Sequence, residues 1–223
     1  DTQEKVNILY TSFDSEFSNE IWQKYTAQFP EAIVSDINRY KRWQDRQARL
    51  LGKLLLVKGL AFYYPNPYEL LHSIKFDKYK RPFINSEIDF NISHSGDYII
   101  LAIAKGIRLG IDIEKKREID NNILKNYLTD QEWQHLISSQ NQIETFFDYW
   151  TKKESIIKAD GRGLFVNLKN IKLQDNKAEL NNNEWFLQQI EIDASYLCYL
   201  ALNSRNLPIK KTKYSHPELA QSE

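Results

Sequence analysis

Four clusters in this chain have residue types and spacings that could do chemistry. The stretch GIDIE at 110–114 puts Asp112 and Glu114 two residues apart. In a strand, residues i and i+2 share a face, so these carboxylates sit together while Ile111 and Ile113 face the other way. Carboxylates that close repel unless a cation or a proton lies between them. The second cluster is FFDYWTKKESIIKADGRGL at 146–164. On a helical projection Ile143, Phe146, Phe147, Trp150 and Ile157 fall in one stripe about 80° wide, which should face a core. Glu154 lies near the middle of that stripe and Lys158 at its edge, whereas Lys152 points away. A core-facing carboxylate needs a cation or a proton to offset its desolvation. With Asp112 and Glu114, Glu154 would complete a set of hard oxygen ligands suited to Mg2+ or Mn2+.

The third cluster is basic: Arg39, Arg42, Arg46, Arg49 and Lys53 recur every three or four residues, while Asp45 lies on another face. Like charges at this spacing mildly destabilise a helix. An anionic partner, a phosphorylated ligand or an acidic protein, would compensate them. The fourth is SHSG at 93–96, where Ser93, His94 and the backbone N–H groups around Gly96 could hold a phosphate. No acid or nucleophile is spaced to make a triad with His94, and Cys198 sits in an apolar strand pattern. Each cluster also has an ordinary reading: a strand showing its polar face to water, a solvated helix face, a structural turn histidine, a surface Glu–Lys pair. The last fits poorly, because Glu154 and Lys158 abut Phe147 and Trp150.

The elements that must position these residues follow from periodicity. VNILYTSF (6–13) reads as a strand, and Ser18 as the N-cap of a short helix. A long helix is expected from about Ser35 to Tyr63, ending before Pro65. Residues 88–114 give three short strands, of which Ile99 to Ala104 is apolar on both faces and should be central and covered. Helices are expected at 120–128 and 130–139, the second with Thr129 and Glu132 at capping-box spacing. A further helix runs from about Gln142 to Ala159 and stops at Gly161, and the remainder alternates as strands. The order is α/β followed by α/β, with halves at 1–115 and 116–208 and KKREIDNN (115–122) as the join. The segment 209–223 lacks apolar periodicity and is expected to be a flexible tail.

Composition excludes several classes. Thirty basic and thirty acidic side chains cancel, which gives no reason to expect nucleic acid or an anionic membrane as partner. Cys198 is the only cysteine, so neither an intramolecular disulfide nor a cysteine-based zinc site can form. Without a long apolar run or a signal peptide, the expectation is a cytoplasmic protein. The sequence begins at Asp1 and has no methionine, so its natural start is expected to lie outside it.

FNISHSG (90–96), GIDIE (110–114) and WTKKESIIKADGRGL (150–164) together resemble the three motifs of the 4'-phosphopantetheinyl transferases, of the larger, pseudo-dimeric, surfactin-synthetase-activating type. RPFI (81–84) resembles the lysine-proline element that precedes the first motif. The resemblance covers roughly residues 40 to 165. It implies an α+β fold of two similar halves about a pseudo-twofold axis, with coenzyme A in the cleft between them. It also implies transfer of the phosphopantetheine arm to a serine of an apo acyl or peptidyl carrier protein, releasing 3',5'-ADP, by a monomer. On this basis Asp112, Glu114 and Glu154 would bind Mg2+ or Mn2+, and Glu154 would also accept the serine proton. Lys158 would contact the pyrophosphate, and Ser93 and His94 a phosphate of coenzyme A. Lys53, Arg49, Arg81 and Pro82 would line the 3'-phosphate and adenine region. Two departures bear on that region: Ala48 stands where close relatives often have arginine, and Arg81 where many have lysine. A coenzyme A-binding relative without activity and an unrelated Mg2+-dependent phosphohydrolase are the alternatives.

Overall fold

The computed structural model describes residues 5–119 and 124–221. The first half runs β1 (Val6–Ser12), α1 (Asn19–Thr26), α2 (Glu31–Asn38), α3 (Trp43–Leu60), α4 (Pro67–Leu70), the hairpin β2 (Lys75–Phe76) and β3 (Pro82–Phe83), then β4 (Ile88–Ser95) and β5 (Tyr98–Lys105). The second runs β6 (Leu109–Lys115), α5 (Asp130–Ser138), α6 (Gln142–Asp160), β7 (Lys172–Gln174), β8 (Lys177–Leu180), β9 (Asn183–Gln189) and β10 (Tyr196–Leu202). β11 (Ile209–Lys213) and α7 (His216–Leu219) close the chain.

Two antiparallel-rich sheets result, in the orders β11-β1-β5-β4 and β6-β10-β9-β8-β7. Each half repeats one plan. Its first strand is followed by a long helix and pairs with its last strand, which pairs with the strand before it. The fold is therefore α+β in two similar halves. Strand β5 is covered on both faces, as its apolar run requires. Leu101 and Ile103 pack with the buried face of α3, while Ile100, Ala102 and Ala104 join Ile111, Ile113 and Leu200 between the halves.

The two sheets meet along β4 and β6 without backbone pairing. Side chains of β4 take that role: Asp89 accepts from the Leu109 N–H at 2.9 Å, Asn91 from Ile111 at 2.9 Å, Ser93 from Ile113 at 3.3 Å and Ser95 from Lys115 at 3.0 Å. The constant offset means that the strands run parallel along this seam. Buried N–H groups of β6 that would otherwise be orphaned are thus satisfied.

Several expectations need correction. The helix expected over 35–63 is two helices, because Arg42 is extended (φ −82°, ψ 133°) as the N-cap residue of α3. The break lets Ile37 of α2 and Trp43, which packs on Phe13 at 5.8 Å, reach the core from different directions. Arg39 is thereby taken off the basic stripe and pairs with Asp36 at 3.6 Å. The division at 115 moves to the turn at 106–108, because β6 pairs with β10 of the second half. The segment expected as a flexible tail, 209–223, carries regular structure in its described part, 209–221: β11 pairs parallel with β1, and Leu219 of α7 is fully buried. One buried side chain and one edge strand suffice to anchor it, and neither produces a periodic signal. Residues 120–123 of the helix expected at 120–128 lie outside the described residues; of the others, Leu124 is helical and 125–128 form a turn and a bend.

Candidate active site

Helix α6 starts at Asn141, whose side chain accepts from the Glu144 N–H at 3.1 Å, and stops at Gly161 in the left-handed region (φ 92°). Phe146, Phe147 and Ile157 of its apolar stripe are buried, but Ile143, in the first turn, is 40% exposed. Lys153, only 1% exposed, donates to Glu132 Oε2 at 2.6 Å and to the Tyr127 carbonyl at 3.3 Å. The same Glu132 closes the capping box of α5 with Thr129. Lys153 therefore locks the rotation of α6, and with it the direction of Glu154. Burial pulls its ammonium below the usual lysine range, and Glu132 works against that.

Gly110 sets the distance between α6 and β6. A Cβ there would lie 2.2 Å from Ala159 N and 2.3 Å from Ser155 O, both backbone atoms. Only glycine lets the helix rest on the strand this closely. The C-terminal end of α6 is held from the first half. Arg81 donates to the Lys158 carbonyl, to both oxygens of Asp89 at 2.7 Å and to the Leu109 carbonyl at 2.9 Å. Arg108 donates to the Ala159 carbonyl at 2.7 Å and to that of Asp160 at 3.2 Å. These cations meet the otherwise unpaired carbonyls at the negative end of the helix.

Lys158 and Glu154 thereby come level with the polar residues of β6. Lys158 Nζ donates to Asp112 Oδ1 at 2.5 Å and to Ser93 Oγ at 2.9 Å. Asp112 is 3% exposed, and its Oδ2 is buried without a hydrogen-bond partner. Burial raises the Asp112 carboxyl above its ordinary value, and Lys158 works against that rise. Glu114 accepts from the Trp150 indole at 3.0 Å and from Ser95 Oγ at 3.0 Å. Glu154 has no hydrogen bond or ion pair among the described residues. Burial first, and then the Asp112 charge, push its carboxyl up to about 7. As placed, no three acids, histidines or cysteines among the described residues close around one point. The donor set nevertheless fits a hard cation in two respects: a buried oxygen of Asp112 lacks a partner, and Glu154 is short of positive charge.

Beside Glu154 lies a cavity of about 620 Å3, lined by Tyr79, Arg81, Pro82, Trp150, Glu154 and Lys158 among others. That size accommodates a small-molecule ligand. Ser93, His94, Arg49 and Lys53 do not line it. Ser93 is buried with its hydroxyl fully engaged. His94 is exposed, yet the protein mass around it, then Lys158 and then Arg49, lower its ring below the usual histidine value. Arg49 stacks on Tyr40 at 3.7 Å, and the Lys53 ammonium is lowered by burial. Arg81, expected beside a 3'-phosphate, lines the cavity, and its guanidinium is hydrogen-bonded to Asp89 and to the Leu109 and Lys158 carbonyls.

Reasoning from sequence missed Trp150 as a partner of Glu114, Lys153 as the anchor of α6, and Ser95. The last had a signal: Ser93 and Ser95 alternate on β4 with the same period as Asp112 and Glu114 on β6.

Comparison with known proteins identifies the family. The profile of the 4'-phosphopantetheinyl transferase superfamily matches residues 108–209, and that of the 4'-phosphopantetheinyl transferase N-terminal region matches 16–106. The chain is 30% identical over 176 residues to the 4'-phosphopantetheinyl transferase gsp of Aneurinibacillus migulanus, covering 78% of this chain and 73% of the relative. It is 29% identical over 229 residues to the 4'-phosphopantetheinyl transferase Sfp of Bacillus subtilis, covering 96% and 99%. The L-aminoadipate-semialdehyde dehydrogenase-phosphopantetheinyl transferase of Xenopus laevis is 28% identical over 198 residues, covering 74% and 65%. This chain belongs to the 4'-phosphopantetheinyl transferase superfamily. No helix among the described residues is long and apolar enough to cross a membrane.

Proposed function

We propose that the protein moves the 4'-phosphopantetheine arm of coenzyme A onto a serine of an apo acyl or peptidyl carrier protein, with Mg2+ or Mn2+, and releases 3',5'-ADP. The observation that carries this reading is Glu154. It borders the cavity, has no partner among the described residues, and holds its carboxyl near 7, where a group is poised to accept a proton at working pH.

In the proposed reaction the carrier serine oxygen bonds to the phosphorus that bears the pantetheine. The P–O bond to the ADP oxygen breaks, the serine proton passes to Glu154, and the negative charge stays on the leaving phosphate. Lys158, 27% exposed at its side chain, is within reach of both the cavity and Asp112, and would turn to the pyrophosphate. Asp112, Glu114 and Glu154 would hold the cation, which when bound neutralises charge on the pyrophosphate. Arg49, Lys53 and His94 would meet the 3'-phosphate from the first half, and Pro82 the adenine. The presence of both halves in one chain supports a monomer, and a single cysteine, which cannot form an intramolecular disulfide, is in keeping with the cytoplasm.

The test is a mass spectrum of an apo carrier protein after incubation with coenzyme A, with and without Mg2+. The reading expects a gain of the phosphopantetheine mass only with the metal. Hydrolysis of coenzyme A with an unmodified carrier would replace it by a phosphohydrolase, and no change in either molecule by a binding protein.

A further inference from the structure

We infer that Ser93 and Ser95 are positioning residues for the two β6 carboxylates, each fixing one of them for the cation. This inference rests on the metal-dependent reading above. The geometry is the same at both positions. Ser93 Oγ accepts the Ile113 N–H at 3.3 Å and donates to Asp112 Oδ1 at 3.0 Å. Ser95 Oγ accepts the Lys115 N–H at 3.0 Å and donates to Glu114 Oε2 at 3.0 Å. Each hydroxyl thus binds the N–H of the residue just after a carboxylate and gives its own hydrogen to that carboxylate.

Chemistry explains why hydroxyls stand here. A serine can accept and donate at one atom, whereas a carboxylate only accepts. The lower rungs of the seam lack this double role. Asn91 meets Ile111, which follows Gly110 and so has no carboxylate before it. Asp89 meets Leu109 and spends its charge on Arg81. The seam therefore changes along its length from joining the halves to joining them and aiming the site. Ser93 also accepts from Lys158 at 2.9 Å, so its only hydrogen is committed to Asp112 and none remains for a phosphate. With Oδ1 held, Asp112 keeps Oδ2 as its unpartnered oxygen, buried beside Lys158 and Ser93. Partners that orient metal ligands commonly change metal affinity by about 10–100-fold when removed.

The test titrates Mn2+ into the full-length protein with saturating coenzyme A, following free Mn2+ by electron paramagnetic resonance against a coenzyme A blank. Ser93→Ala and Ser95→Ala should each weaken Mn2+ binding by at least about tenfold. Ser95→Thr, which keeps a hydroxyl, should recover affinity to within about threefold of the parent. Asn91→Ala removes a rung at the cavity wall without touching a carboxylate; with coenzyme A kept saturating for that variant, it should lower the melting temperature as the serine variants do, yet retain Mn2+ affinity. Parent-like Mn2+ affinity in both serine-to-alanine variants, or an equal loss in Asn91→Ala, would overturn the inference. So would a Ser93→Ala variant that binds coenzyme A more weakly without metal while keeping its Mn2+ affinity, since that marks a phosphate ligand. A parent protein that binds no Mn2+ would defeat the metal-dependent reading itself, and this inference with it.

Discussion

The two long helices, α3 and α6, occupy equivalent places in their halves but approach their sheets differently. On α3 the close contact is made by a glycine of the helix: a Cβ on Gly59 would lie 2.7 Å from the Leu101 side chain and 3.2 Å from that of Ile103. On α6 the glycine belongs to the strand, and the atoms it faces are helix backbone. A helix glycine brings α3 down onto apolar side chains, so the contact is all core, and Gln47 and Lys58 are its only buried polar residues. A strand glycine brings the α6 backbone onto β6, so the flanking Glu154 and Lys158 fall beside Asp112. One half is built as scaffold with a basic margin, and the other as the site. The placement of one glycine decides which side chains can meet.

The largest effect should come from removing that distinction. Gly110→Ala forces a methyl into backbone that cannot step aside, and should cost about 3 kcal/mol or more, at the upper end of overpacking. Gly59→Ala meets the ends of flexible side chains, and alanine regains about 1 kcal/mol of helix propensity, so its net cost should stay within about 1 kcal/mol. Denaturant melts of both variants measure this. Equal costs would mean that the two approaches are not different in kind.

Glu154→Gln comes next. Glutamine has nearly the same size but cannot accept the proton, so carrier loading should fall by at least about 10²-fold while the metal-free protein stays folded. The same variant tests the electrostatics. A carboxyl raised to about 7 keeps its proton in the folded protein between about pH 4.5 and 7, where the unfolded chain has lost it. Folding then binds protons in that window, so stability should fall as pH rises through it and level off above 7. The raised Asp112 carboxyl adds a slope of the same sign. Thermal melts without divalent cation should show this decline in the parent and a smaller one in Glu154→Gln. A folded variant that loads carrier at the parent rate would sink the assignment of Glu154 as base.

What was legible in the sequence was local or periodic. The alternating strands, the capping box of α5 and the stop at Gly161 depend on residues a few positions apart, and the structure shows each. What was not legible depends on distant partners. Arg81 lies in a polar turn and reads as a free cation, yet its partners include a carbonyl 77 residues away. The break at Arg42 carries neither proline nor glycine; it follows from where Ile37 and Trp43 must go. In the site, residue types announced the carboxylates, but the ladder that holds them became visible only once β4 lay beside β6.

Arg81→Lys sharpens the comparison across the seam. One ammonium cannot reach Asp89, Leu109 and the end of α6 together, so the clamp should weaken by about 1–2 kcal/mol in a melt. If the guanidinium has no part in holding a phosphate, KM for coenzyme A and for its 3'-dephospho form should change by the same factor. A loss confined to coenzyme A would return Arg81 to the 3'-phosphate and take the clamp from it.

The smallest effect belongs to the basic margin of α3. Arg49 and Lys53 are half-buried on the scaffold side, Arg49 near His94, whereas Arg46 is already occupied by the Tyr40 carbonyl at 3.0 Å and that of Lys41 at 2.9 Å. If this margin meets the 3'-phosphate, the double change Arg49→Gln with Lys53→Gln should weaken coenzyme A about two- to thirtyfold more than 3'-dephospho-coenzyme A. Partly solvated charge contacts contribute about 0.2–1 kcal/mol each, and two of them give that range. The difference should shrink as salt rises, because screening acts on exposed charges. Arg46→Gln should leave the ratio of the two affinities unchanged, since its donors are spent on its own chain. Calorimetric titration of both ligands at low and high salt measures all three. Should the double variant weaken both ligands equally, the margin of α3 does not read the 3'-phosphate, and the remaining role for its charge is contact with the carrier protein.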